Sequence, residues 1–594
     1  MRRSQTALLR ARSLAVAGIF VLGAALTAGP PVAAAARFRA ASTSSPSAAA
    51  GRTGLVDRVV NAHGAPDRVV GRNRPSRHVV VKNLPKATGH ERVYRSPLRT
   101  PIAGTATAPK TQAKAPSVRA VTTASVTTTN PATEEASGSG STSGVLEPPD
   151  PFVAVGPDHV VQATNAGIRI TNRSVGGASS LTLSNFFGID AVGNGYQAET
   201  FDPRVIYDSL HNRWVAIESS FDCEPDPSHG INIGTGYIDV AISDTADPTL
   251  GWGIASLPYP DTAPDFPGLG TSTDKVVASA NVFTLQAGGA LGCDINGAGF
   301  IGTELDVLNW SQLLGTGNLD VDFLTSYTNP ADFPNAYFTL RPSVQMPAAT
   351  APVFGVTENL SNAGVSWFKV TGVPNGVAHA SVAVSGTFTG SIDAFDTSVP
   401  APIQPGPDTI AGAVDGRPTD AIWQNNRLVF VSTRSCDPAG GATEDRDCVR
   451  VSEIGVSSTT SAPPITQDMM ISEDGRDLYM GGVGLAQNGD LHVTWTGSSA
   501  TGGDFPSTYT AYQVHGTTAN ALTGKQKIAS GTSAYGGERW GDYVGLAQDP
   551  RVPDAVWQAA GYSTGATWST RVSQLRTFGG ASYVAITPLR VLDS

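Results

Sequence analysis

Seven charged side chains stand at the starts of short apolar runs: Asp202, Arg204, Arg341, Arg417, Asp420, Arg539 and Asp542. Their types suit one chemistry. A guanidinium fork holds a carboxylate bidentately, and two carboxylates can divide the work of acid and base. Gathered at one place, they would form the site of a glycan-active hydrolase or lyase. The same set would serve as well to tie strand ends together by ion pairs and hydrogen bonds, because clustered charges are often structural. Three aromatic residues near glycines, Trp540, Tyr543 and Trp252, could stack on a sugar ring, with core or rim packing as their alternative role.

Asp294-Ile295-Asn296-Gly297 opens like a calcium loop, which makes Asp294 and Asn296 candidate metal ligands. Ala298 then stands where a third ligand belongs and Leu305 where a bidentate Glu belongs, so the pattern is incomplete. The acidic stretch from Asp437 to Asp447 is a looser match. No cofactor is expected beyond, at most, Ca2+. No G-x-x-x-x-G-K-[ST] loop, G-x-S-x-G elbow or H-E-x-x-H pair occurs, which argues against those enzyme classes.

The elements that would position these residues repeat. Val483-Gly484-Leu485-Ala486-Gln487 returns as Val544-Gly545-Leu546-Ala547-Gln548, each copy followed by a turn and an apolar run. The same plan, a run, a tight turn and a second run ending in small polar residues, occurs seven times. The second runs follow Asp158, Arg213, Lys275, Pro352, Arg427, Asp490 and Asp554, at spacings of 55 to 77 residues. One hairpin cannot bury its own face, so such units must stack. The pattern predicts an all-β protein, a β-propeller of seven four-stranded blades over residues 146–578, with six or eight as the neighbouring counts. A short helix is expected within 307–314.

Residues 1–36 read as a secretory signal peptide: Arg2, Arg3, Arg10 and Arg12, an apolar stretch from Leu14 to Ala28, then small residues at Ala33 to Ala36. That stretch is too short to span a bilayer, and nothing later is long and apolar enough. Residues 37–145 hold 16 Lys and Arg against 5 Asp and Glu, whereas residues 146–594 hold 20 against 45. The pattern is a basic arm on an acidic domain. The Ala, Thr, Ser and Pro from Thr100 to Gly144 bury too little to offset chain entropy, so the arm is expected to be disordered. The reading is a secreted, extracellular monomer, associated with the cell wall if the arm holds anionic polymer. Its expected partner is an extracellular polysaccharide or a protein surface, with no nucleic acid and no membrane span.

Pro148-Pro149-Asp150 through Val155-Gly156-Pro157-Asp158-His159-Val160-Val161-Gln162 resembles the opening of a family of exported bacterial β-propellers loosely called sialidase-like. Arg539-Trp540-Gly541-Asp542-Tyr543 resembles that family's last-blade motif. The resemblance covers about residues 146–578 and implies fold and export, without an established reaction. The sialidase Asp-box S-x-D-x-G-x-T-W is missing, Ser472-Glu473-Asp474-Gly475 being the nearest match. Residues 579–594 resemble the first strand of a β module appended to other exported proteins.

Two structural expectations follow. The last unit offers only three strands, so a fourth should come from residues 145–173. Of the four cysteines, Cys436 and Cys448 flank one loop and should pair within a blade, and Cys223 with Cys293 between neighbouring blades. The function favoured is an exported binding module for carbohydrate or a protein surface, with the glycan-active enzyme as the alternative.

Overall fold

A computed structural model describes residues 59–61, 77–83, 129–134 and 148–577, apart from residues 175–177, 190–198, 227–230, 288–292, 295–298, 316–318, 327–335, 347–348, 362–363, 397–398, 407–408, 411–415, 439–444, 538 and 566. Within them the chain forms seven antiparallel blades. Blade 1 comprises Phe152–Val155, His159–Thr164, Gly167–Asn172 and Ala178–Leu181. The innermost strands of blades 2 to 7 are Glu199–Asp208, Thr262–Thr271, Tyr337–Pro342, Pro418–Gln424, Asp477–Leu485 and Gly545–Gln548. Each innermost strand touches the next, and blade 7 touches blade 1, so the ring is closed.

All seven marked runs become the second strand of a blade, from His159–Thr164 to Ala555–Thr564. The apolar residues fall into seven layers, one between each pair of neighbouring blades. All nine Trp are buried in them or at their edges. The repeated glycines mark close approach. A Cβ on Gly484 would lie 2.9 Å from Leu546 Cβ, and one on Gly545 would lie 2.7 Å from Phe152 Cα. Inner strands of adjacent blades meet there, and only glycine leaves room.

Blade 7 takes its fourth, outer strand from the N-terminal side, as expected, but from another segment. Thr129–Glu134 runs antiparallel to Thr567–Arg576. Of the residues expected to close it, 145–173, those from Phe152 to Asn172 build blade 1 instead. Arg77–Val80 adds an antiparallel edge strand to blade 2 and Val59–Asn61 a parallel one to blade 3. The expectation of a disordered arm therefore fails for these three segments. Open sheet edges offer unpaired N–H and C=O groups, and a short passing segment can satisfy them whatever its composition. Arg77 pairs with the buried Asp239 at 2.9 Å, and Val79 and Val81 are buried. The helix expected within 307–314 shrinks to Trp310–Leu313, capped by Asn309, because strand Phe300–Asn309 continues first.

Candidate functional site

Side chains reach the channel through a recurring backbone irregularity. In five blades the innermost strand slips against its neighbour at the same level, between Phe201 and Arg204, Asp265 and Gly268, Phe338 and Arg341, Pro418 and Asp420, and Tyr479 and Gly482. Asp202, Phe266, Thr339 and Met480 take left-handed backbone there, with φ of 55°, 52°, 56° and 53°. Bulges of this kind re-aim side chains. Asp150, just ahead of blade 1, has φ of 44°.

Two linked groups result. At the seam of blades 7, 1 and 2, the carboxylates of Asp150, Asp202 and Asp542 converge, with oxygens within 4.8 Å of one another. Asp150 accepts from the Asp542 N–H at 2.6 Å and from Asn165 Nδ2 at 2.9 Å. Asn165 Oδ1 in turn accepts the Asp202 N–H at 2.7 Å, and Asp202 accepts the Phe266 N–H at 3.2 Å. Arg539 donates to Asp542 at 2.5 Å. Burial, then the Asp542 and Asp202 charges, push the Asp150 carboxyl well above its usual range. Gly541 permits the contact, since a Cβ there would stand 3.3 Å from Asp150 Oδ1.

The second group plugs the channel axis. Arg204 donates to Pro267 O at 2.5 Å and Thr419 O at 3.4 Å, and Arg341 to Pro267 O at 2.9 Å and Pro418 O at 3.3 Å. Phe266 carries the guanidinium groups of Arg341 and Arg417, each 4.5 Å from its ring centre. Arg204 lies 3.9 Å from the Tyr543 ring centre. Arg204 and Arg341 are 2% and 1% exposed. They bind blades 2, 3, 4 and 5 across the axis, with carbonyls rather than a ligand as partners. Burial raises the Asp420 carboxyl to about 6, against the pull of Arg204 and Arg341.

Asp420 also borders the open part of the channel, with about 590 Å³ of empty space including its mouth. Phe152, Val153, Ile206, Ile422, Val483 and Leu546 line it, with Tyr207, Ser209 and Pro550, and polar and apolar groups share its wall about equally. This space is lined in part by later residues of the inner strands, such as Ile206 of Glu199–Asp208 and Ile422 of Pro418–Gln424, whereas Asp202 and Arg204 come earlier in Glu199–Asp208 and Arg539 stands before Gly545–Gln548.

The aromatic candidates are all enclosed. Trp252 lies inside strand Gly251–Pro260, not in a loop, and donates to Pro248 O at 2.8 Å. Trp540 donates to Thr496 Oγ1 at 3.1 Å and packs on Tyr535. Tyr543 is wedged between Phe152 and Phe266. None has a free ring face for a sugar, because each fills an interblade layer or the channel. Cys436 and Cys448 are disulfide-bonded, with Cα atoms 6.0 Å apart. The side chains of Cys223, Cys293 and Asp294 lie outside the described residues, as does Asn296. Asp150 and Asn165 were not among the expected site residues. The Asp-Pro step shared by Asp150-Pro151 and Asp202-Pro203 was the available signal for the first.

No family model matches the chain, and no curated protein sequence does. Among solved structures, it is similar to an α-L-arabinofuranosidase of Fusarium graminearum in complex with an iminosugar inhibitor, at 11% identity and a TM-score of 0.32. That match covers 64% of this chain and 93% of the other. A protein of unknown function from Dyadobacter fermentans matches at 10% identity and a TM-score of 0.24, over 54% of this chain and 96% of the other. Likeness at this level carries no argument about activity, and the seven-bladed fold rests on the strand order above.

Proposed function

We propose that the chain is an exported, non-catalytic binding module, with a carbohydrate or a protein surface as its ligand. One observation carries this reading: of the four arginines that could clamp a substrate, Arg204 and Arg341 are buried and hydrogen-bonded to backbone carbonyls of other blades, with Arg341 Nη2 alone left over among the described residues, and Arg539 is held by Asp542. A catalytic arginine must be free to meet its substrate, whereas a scaffold arginine needs only its carbonyls. The open end of the channel, bordered by Asp420, is the seat for a ligand.

A second reading, a glycan-active hydrolase or lyase, has one point in its favour. Asp420 borders that space with its carboxyl raised to about 6, the range of a general acid near neutral pH. The test is a glycan array with a turnover assay on the mature chain and on Asp420→Asn. Binding without turnover supports the module. Turnover that Asp420→Asn abolishes while binding persists replaces it with the enzyme.

A further inference from the structure

We propose that Asp150, Asp202 and Asp542 hold a Ca2+ ion that pins blade 7 to blades 1 and 2. The three carboxylates come from three separate segments: the turn before blade 1, the bulge of blade 2 and the turn before blade 7. Three oxygens at the outer limit of 4.8 Å from one another stand about 2.8 Å from a common centre, so closing by a few tenths of an ångström brings all three to the 2.3–2.6 Å that Ca2+ takes. The existing hydrogen bonds do not forbid this. Each carboxylate oxygen has a second lone pair after accepting one N–H.

Charge points the same way. Asp150 and Asp202 are fully buried, and the Asp542 side chain is 16% exposed. Among the described residues Arg539 is the cation hydrogen-bonded to the group, through Asp542. Arg204 is also within electrostatic reach of Asp202 and Asp150, so three carboxylates face two guanidinium groups and one negative charge remains in excess where little water can screen it, which is costly.

An independent observation comes from Tyr543. Its side chain is wholly buried, its hydroxyl has no hydrogen-bond partner among the described residues, and Asp202, Asp150 and Asp542 are all within its electrostatic reach. A buried hydroxyl left without a partner is destabilising. An ion at the cluster, or a water on that ion, supplies one. An all-oxygen set selects a hard cation. Mg2+ would need tighter octahedral ligands at 2.0–2.1 Å and gives up its water reluctantly.

The experiment uses the mature chain stripped with EDTA, titrated with Ca2+ by calorimetry and followed by thermal unfolding. One ion per chain and a melting temperature that rises with Ca2+, and less with Mg2+, are expected. Asp202→Asn and Asp542→Asn should each weaken the affinity at least tenfold. Tyr543→Phe, which keeps the ring packing, should weaken it several-fold. If Asp202→Asn fails to fold, the less buried Asp542→Asn and the Tyr543→Phe variant still decide. No bound ion and identical melting in Ca2+ and EDTA would overturn the proposal in favour of shared protons. Binding that survives all three substitutions would overturn it by placing the ion elsewhere. The outcome does not depend on which ligand the channel takes.

Discussion

Buried carboxylates at the seam of blades 7, 1 and 2 and those beneath the clamped loop of blade 5 meet the same electrostatic problem with different means. At the seam, Asp150, Asp202 and Asp542 are surrounded by donors from separate segments: Asn165, Arg539 and the N–H groups of Phe266 and Asp542. In blade 5, the Asp447 side chain is fully buried beside Asp477 and neither of its oxygens is hydrogen-bonded among the described residues. Burial, then the Asp477 charge, raise its carboxyl to about 9. Asp447 therefore keeps its proton at neutral pH. The contrast separates two uses of acid in one ring. Burial raises Asp150 as it does Asp447, but the hydrogen bonds of the seam carboxyls join segments distant in sequence, whereas the Asp447 carboxyl makes none among the described residues.

The largest test of that difference is to remove what flanks the seam. Deleting residues 37–140 takes away the outer strand of blade 7 and the added edges of blades 2 and 3. Losing buried Val79 and Val81 costs about 1.5–3 kcal/mol each. Stripping Asp239 of Arg77 adds about 3–5 kcal/mol. Chemical denaturation should show a loss above about 5 kcal/mol, and hydrogen exchange should rise in blades 7, 2 and 3 but not in blade 5. An unchanged midpoint would mean the arm does not stabilise the ring.

Arg539→Ala comes next. It removes the guanidinium bound to Asp542 and leaves a buried acidic group short of a cation, at a cost of about 3–5 kcal/mol in urea unfolding. A loss below about 1 kcal/mol would show that the seam does not depend on this pair.

How far the fold was legible follows from the same residues. The seven marked runs are visible because second strands are apolar and end at tight turns, a signal local in sequence. The closing strand at Thr129–Glu134 was not, because an edge strand contributes backbone hydrogen bonds that Thr, Asn and Pro do not announce. Arg204, Arg341 and Asp420 do meet in the channel, as their positions suggested. That they bond carbonyls of Pro267, Thr419 and Pro418 could not be read from type or spacing, since backbone acceptors leave no mark in a sequence. Asp150 hid in a turn motif, and only the ring geometry brings it to Asp202 and Asp542, 52 and 392 residues away.

The disulfide offers a finer test on the blade 5 side. Cys436–Cys448 closes a loop of 12 residues, for which the chain-entropy model gives about 3 kcal/mol. Cys436→Ser with Cys448→Ser should lose about that much. Cys448 directly follows Asp447, so opening the loop should also admit water to that carboxyl. The dependence of stability on pH should then weaken in the variant. If the variant keeps the full pH dependence, the bridge does not shield Asp447.

The effect smallest at any one step of pH is the most specific. Asp447 has an ordinary value of 3.8 when unfolded and about 9 when folded, so between those values the folded protein holds a proton that the unfolded chain has lost. Stability contributed by that proton is fully present below pH 3.8 and falls as pH rises towards 9. Asp447→Asn keeps the shape and removes the titration. It should be nearly neutral at pH 4 and increasingly stabilising up to pH 8, by at most about 1.4 kcal/mol per pH unit, because folding of the wild type must hold a proton that the unfolded chain has released. His492, fully buried and lowered to about 4 by desolvation, acts in the opposite sense, removing stability as pH falls from 6.5 to 4. Its contribution is common to both proteins and cancels in their difference. Denaturant midpoints of wild type and Asp447→Asn from pH 4 to pH 9 should therefore diverge steadily with rising pH. Parallel curves would mean that Asp447 is ionised in the folded protein, and the contrast between the two acidic groups would disappear.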